Sequence, residues 1–338
     1  PGMTFEHKGT IEVDSPNSNK GNIGVFSDGK AKVNFYNNSN VFVGANSVGI
    51  YSADKDKFND TFKNHGNVNI KIGADSTFAY LDGDATTPLE KFFVKNADGK
   101  AVSVNILENM GAKSSLVYAN NKAKALLDAD YTIDKGNANA STIALLATNQ
   151  SSVTVDSGKT LTTNTNVGLI ATKGAGLSGA ESEAKNSGTI VSTRADKGIG
   201  IYANAAKGNN IGTITMNNKN AVGMLGVLGS TLINTKKISL GGVSSAGMYG
   251  EDSDLTNSTT TSEINVNKKE SAGMYAKMSG ASSVPKTSKN EGKIEIKADG
   301  AGKSAAMYSL MENGTTKVMT TKNTKDIEVA QKTSAGIY

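Results

Sequence analysis

Apolar residues fall on alternate positions along this chain, in short runs that two recurring words carry. One word has the form Asn-x-Gly-x-Ile-x-Val. It occurs at Asn186–Ile190, Asn210–Ile214 and Asn290–Ile296, with weaker copies at Gly9–Val13, Val33–Phe35, Ile264–Val266 and Ile327–Val329. Ile and Val alternate there with Thr, Glu, Lys or Asn, the period of a strand with one face buried. β-Branched side chains suit such a pleated surface.

The second word is a pentad, Ser245-Ala246-Gly247-Met248-Tyr249, rewritten at Ser271–Tyr275, Ser304–Tyr308 and Ser334–Tyr338. Aligned on its central residue, copies fall at Gly24, Gly49, Ala79, Leu116, Ala144, Gly168, Gly200, Gly223, Gly247, Gly273, Ala306 and Gly336. The alternation predicts that the second position (Ile23, Val48, Phe78, Val222, Ala246) and the fourth (Val25, Ile50, Tyr80, Met224, Met248) face inward. The glycine between them then faces out or marks a bend. The fifth position is mostly Tyr. It points outward if the strand runs straight and enters the core if the strand bends.

A third short run precedes the Asn word, as in Thr231–Asn234, Asp254–Asn257 and Thr61–Asn64. Three short strands in each repeat of about 25 residues describe one coil of a parallel β-helix. The expected fold is therefore all-β: a right-handed parallel β-helix (solenoid) of about twelve coils, forming a single repeat domain over residues 1–338. Spacings between pentads vary from 23 to 37 residues, so loops of variable length leave a fixed core. The longest spacing predicts an excursion over residues 82–113. Within it Thr87, Pro88 and Glu90 form a helix-start signature.

Composition narrows the function classes. Gly supplies 37 of 338 residues, Cys and Trp are absent, and only His7 and His65 provide imidazole. The net charge of +5 is almost all lysine, Arg194 being the single arginine, and it is spread along the chain rather than clustered as in a nucleic-acid binder. The absence of thiols suits a chain exported unfolded through an oxidising space. No apolar run is long enough for a spanning helix, and none of the residues read as a signal peptide. Pro1-Gly2 before Met3 reads as a cloning remnant, and the stop inside a pentad at Tyr338 gives the expectation of a fragment of a longer protein.

Catalytic chemistry finds little support in the residues. Asp82/Asp84 and Asp128/Asp130 are spaced to share a strand face, but glycosidase chemistry needs carboxyls facing each other across a cleft. No nucleophile elbow or metal-ligand spacing occurs, so catalytic, cofactor and metal residues are expected to be none, and the chain is read as a non-enzyme. His7 and His65 read as surface turn residues. Asn64, Asn186, Asn210, Asn234, Asn290 and Asn323, one per coil, predict a ladder of side-chain amides at a turn, structural rather than ligand-binding. The tyrosines are open to two readings, a stabilising ladder or a platform for sugar rings, of which the ladder explains every copy. The candidate partner-binding residues are Leu89, Lys91, Phe92 and Phe93, the densest apolar patch that fits no coil; a helix covering the rod flank would explain them equally.

The repeated Ser-Ala-Gly-Met-Tyr and Asn-x-Gly-x-Ile words, in a Lys/Asn-rich and Cys-free chain, resemble the passenger domains of type V autotransporters, most of all the large fusobacterial adhesins. The resemblance covers nearly the whole chain and weakens from Ala79 to Leu145. It implies a β-helical passenger at the bacterial cell surface or secreted, a separate outer-membrane barrel, and adhesion to a host glycan, a host receptor or a partner bacterium. A polysaccharide-processing β-helix, or a vacuolating-toxin-like passenger, is the alternative.

Overall fold

The structure, a computed structural model, describes residues 4–14, 21–27, 32–36, 38–53, 62–64, 68–83, 104–127, 130–136, 141–174, 181–279, 284–297, 302–312, 317–330 and 333–338. Every regular element among them is a β-strand, and every strand pairing is parallel. One coil shows the plan: a first strand Thr231–Asn234, a second Lys237–Leu240 and a third Ala246–Glu251. Each pairs only with its counterparts in the coils before and after, so the chain is a parallel β-helix with three faces.

The third strands of all coils form one 12-stranded sheet, in chain order. The first-strand face consists of a 3-stranded sheet followed by an 8-stranded one. The second-strand face is a 4-stranded sheet followed by another of 8. The 4-stranded sheet ends with Val104–Ile106, which pairs with Val68–Ile72 and so lies in the rod wall within the expected 82–113 excursion. Residues 84–103, including the helix-start signature, lie outside the described residues.

Alternation fills the core. Leu232, Ile238, Leu240 and Met248 of the sample coil are all 0% exposed, and their outward neighbours are half-buried. Aligned coils stack like side chain on like, Ile214–Ile238–Ile264–Ile294 and Met224–Met248–Met274–Met307. Corners at both ends of the third strand use the left-handed region. Asn46, Asp75, Lys113, Lys197, Asn220, Ser244, Glu270 and Thr333 precede the strand, and Asn121, Asn149, Ala205, Leu228 and Asp252 follow it, all with positive φ.

The pentad reads differently in the fold than its alternation implied. Its second position faces outward: Ile23 is 46% exposed, and Ala272 and Ala305 are half-buried on the surface. The glycine faces inward. A Cβ on Gly200, Gly223, Gly247 or Gly273 would fall within 2.5–2.9 Å of the Cγ2 of Ile214, Ile238, Ile264 or Ile294. Isoleucine from the second face fills that space, so third and fourth positions both turn inward at a local irregularity. The alternation rule breaks there, because one extra residue is spent in the bend. The third copy is also shifted by one residue. Ala79 pairs with Ile50 and Tyr80 with Tyr51, so Phe78, 4% exposed, takes the glycine's place, as Leu116 does in the next coil. The serine that opens the pentad is buried and ties coils together. Ser271 Oγ accepts from Ser245 N at 3.1 Å, and Ser304 Oγ from Ser271 N at 3.2 Å.

His7 is no surface turn residue. It ends the strand Thr4–His7, is 7% exposed, and meets the Phe35 ring edge-on at 5.7 Å. His65 lies outside the described residues.

Candidate functional site

Two rows of side chains stand outward on the third face. The fifth pentad positions align, coil by coil, as Phe26, Tyr51, Tyr80, Tyr118, Leu146, Ile170, Tyr202, Leu225, Tyr249, Tyr275, Tyr308 and, at the end, Tyr338. This settles the orientation that alternation left open: the rings form an outer ladder. Tyr249, Tyr275, Tyr308 and Tyr338 stack nearly parallel, with centroids 4.8–5.0 Å apart. Phe26–Tyr51 and Tyr51–Tyr80 stack at 5.4 and 5.0 Å, and Tyr80 meets Tyr118 edge-on at 4.7 Å. Such rungs stabilise neighbouring strands by about 0.2–1 kcal/mol each.

Ring hydroxyls are tied to the next outward row. Tyr51 Oη donates to Asp82 at 2.5 Å, Asn120 Nδ2 donates to Tyr80 Oη at 2.8 Å, and Thr148 Oγ1 donates to Tyr118 Oη at 3.1 Å. Partial burial, then the Asp82 carboxylate, push Tyr51 up to about 12. Burial likewise raises Tyr80, Tyr249 and Tyr275. Tyr51, Tyr80, Tyr249 and Tyr275 are therefore neutral across the physiological range.

Beside the tyrosines runs the second pentad position. In the last four coils it is alanine: Ala246, Ala272, Ala305 and Ala335. Between this low alanine row, the tyrosine ridge and the corner residues Ser244, Glu270, Lys303 and Thr333 lies a groove of about 730 Å³. A smaller one of about 280 Å³ occupies the same position near Thr77, Ser115, Tyr80 and Tyr118. Between them Val167 and Ile199 stand in the alanines' place and fill the floor, and Ile143 and Val222, at the same position, border the two grooves. The groove went unseen in the sequence because these alanines were assigned to the core. The readable signal was the change from Ile or Val to Ala at one position while Tyr persists three residues on.

Two residues beyond the tyrosines the row carries charge at Glu251 and Lys277. Lys277 Nζ lies 2.9 Å from Glu251 and 2.7 Å from Glu312, and these two hydrogen bonds, Glu312's the larger, raise its pKa. On the second face Lys293 bridges Glu328 at 2.9 Å and Glu295 at 3.8 Å.

The expected asparagine ladder is present, and it is interior. Asn186, Asn210, Asn234 and Asn290 are 0% exposed, and so is Asn257, which belongs with them. Each Nδ2 donates to the Oδ1 of the next coil, ending at Asn323, at 2.7–2.8 Å. A second donation to a main-chain carbonyl, from Asn186 to Thr213 O and from Asn210 to Lys237 O, fixes which way those two amides point. Asn64 is not part of this row; it lies in the separate 3-stranded sheet. The ladder has no surface for a ligand, and its role is structural.

The other sequence candidates are dispersed. Leu89, Lys91, Phe92 and Phe93 lie outside the described residues, as do Asp84 and Asp128. Asp82 ends a third strand and accepts from Tyr51 and Asn121, whereas Asp130 precedes a second strand and accepts from Thr160 N at 2.8 Å. Among the described residues no three His, Cys, Asp or Glu side chains are grouped to hold a metal ion, and no helix is long and apolar enough to cross a membrane. No family model, curated protein or solved structure matches this chain.

Proposed function

We propose that this chain is a structural and adhesive rod displayed outside a bacterial cell, the passenger part of an autotransporter. The carrying observation is the single 12-stranded sheet, unbroken in order from Ile23 to Ile337. At about 4.8 Å per strand it gives a wall of roughly 58 Å, stiffened by ladders inside and out. Coils that touch only their neighbours can form one after another as a chain emerges unfolded through a membrane, since stability is close to a sum of neighbour terms. The cysteine-free composition favours the same route. On this reading the rod holds binding segments away from the cell, and Leu89, Lys91, Phe92 and Phe93 form the contact with a host glycan, a host receptor or a partner bacterium.

A polysaccharide-cleaving β-helix would need free carboxylates clustered on one outer face. On the third face the described ones alternate with lysine instead, as at Glu251–Lys277–Glu312, and the adjacent pair Glu295 and Glu328 on the second face is bridged by Lys293.

The test combines a glycan array with cell-adhesion assays on the chain and on a variant lacking residues 84–99. That deletion spares the strand Thr77–Asp82. Adhesion lost in the variant, with its β circular dichroism intact, is the expected result. A chain that binds neither glycans nor cells would sink the reading. Adhesion unchanged by the deletion would move the contact onto the rod wall.

A further inference from the structure

We propose that the third face is a self-association surface: it takes a second copy of this chain, laid alongside and parallel. The inference rests on the shape of the rod wall and is independent of the adhesive reading.

The tyrosine rings have little face left to offer. Tyr275 lies between Tyr249 and Tyr308, stacked on both within 5.0 Å. A sugar or another flat ligand would meet ring edges and hydroxyls rather than the π faces it needs. The ladder acts as a ridge, and a groove of the same length lies next to it.

Ridge and groove are arranged to be complementary to themselves. In two adjacent coils four outward positions follow in order, a corner residue, an alanine, a tyrosine and a charged residue: Ser244, Ala246, Tyr249 and Glu251, then Glu270, Ala272, Tyr275 and Lys277. Corner and alanine are two residues apart, and so are tyrosine and charged residue. A two-fold axis parallel to the rod, passing between the alanine and tyrosine rows, exchanges the rows in pairs. The ridge of each copy then enters the groove of the other, the isologous geometry of a two-fold dimer. Both copies share the same strand spacing, so the fit repeats through the four alanine coils without drift. An antiparallel pair would set tyrosine against tyrosine and leave both grooves empty.

Charge agrees with the parallel arrangement. It places Glu270 of one copy opposite Lys277 of the other, twice over. Area sets the strength of the pair. The four alanine coils offer only roughly 400 Å² per copy on a face about 20 Å wide, half of the ~800 Å² that a stable interface needs per partner. Beyond them Ile199 and Val167 fill the groove floor, so the ridge enters only along these coils and the pair is a weak, reversible one.

Sedimentation of the whole chain across a concentration series tests this. The expected result is a reversible dimer. Ala272→Arg should weaken it at least tenfold; other coils carry Ile or Val at this outward position, so the fold tolerates bulk there. Ala305→Lys serves as a second variant if the first misfolds, and circular dichroism checks both. Glu270→Lys should weaken the dimer, since it sets two lysines against each other. Because the chain has no cysteine, orientation can be read directly by mixing Ala272→Cys with Tyr275→Cys. Parallel pairing predicts a disulfide between unlike copies. A chain that stays monomeric at every concentration overturns the proposal and leaves the groove to an apolar small molecule or another protein. A dimer indifferent to folded Ala272→Arg or Ala305→Lys, or one that forms no mixed disulfide, overturns it equally.

Discussion

Buried amides in a row are costly unless every rung is filled. Asn234 donates to Asn257 Oδ1 and accepts from Asn210 Nδ2, both at 2.7 Å in a fully buried position. Asn234→Ala strands both neighbours, and each orphaned polar group costs about 1–3 kcal/mol, so a loss of about 2–4 kcal/mol is expected in urea unfolding. Asn186 starts the ladder next to Val155, and its own Oδ1 has no partner. Asn186→Val breaks one rung and removes one unsatisfied oxygen, so about 1 kcal/mol is the larger loss to expect. A titration probes the outer ladder. Tyr51 in the fold holds its proton up to about 12, against the usual 10.0. The unfolded chain therefore releases that proton first as pH rises. The contribution to stability is complete below pH 10 and is lost between about 10 and about 12. Unfolding midpoints that stay constant across this window, with tyrosinate absorbance appearing as in free tyrosine, would contradict the assignment.

The strand is the scale at which the sequence was most legible, and also where it misled. Leu232 and Asn234, or Ile238 and Leu240, alternate without interruption, and period-two reading placed their faces correctly. Ala246, Gly247 and Met248 do not alternate, because Ile264 reaches across the core and claims the glycine's side-chain space. That contact joins distant parts of the sequence, and no local pattern reports it. The tyrosine row was legible as a ladder, yet its direction depended on the same bend. The groove floor was hidden because alanine suits either side of a strand. Corners give an element-scale test. Leu228 sits in the left-handed region at φ 54 and is 68% exposed, whereas Asn121 and Asn149 hold the equivalent corner in earlier coils. Left-handed backbone costs an ordinary side chain about 1–2 kcal/mol, and Asn less. Leu228→Asn should therefore stabilise the chain by up to about 1 kcal/mol, read as a higher unfolding midpoint.

At the scale of the molecule, coils are interchangeable units. Asn204 pairs with Val227 one coil on, so removing residues 205–227 excises one full turn and leaves the remaining rows in register. Asn186 would then meet Asn234 directly. The shortened chain should keep its β circular dichroism and unfold cooperatively with slightly lower stability, as expected of a one-dimensional array. Collapse to an unfolded spectrum would show that the coils are not equivalent.

The asparagine row also has a direction. Every rung from Asn186 to Asn290 donates the same way, toward the later coil. The amide dipoles are thus aligned head to tail, and each polarises the next, strengthening the bond by about 10–30%. A finished coil shows the incoming one an N–H, and only a side chain bringing an oxygen to that spot completes it. The row therefore specifies register: a turn docked one residue out of step brings no oxygen to that N–H and leaves it buried without a partner.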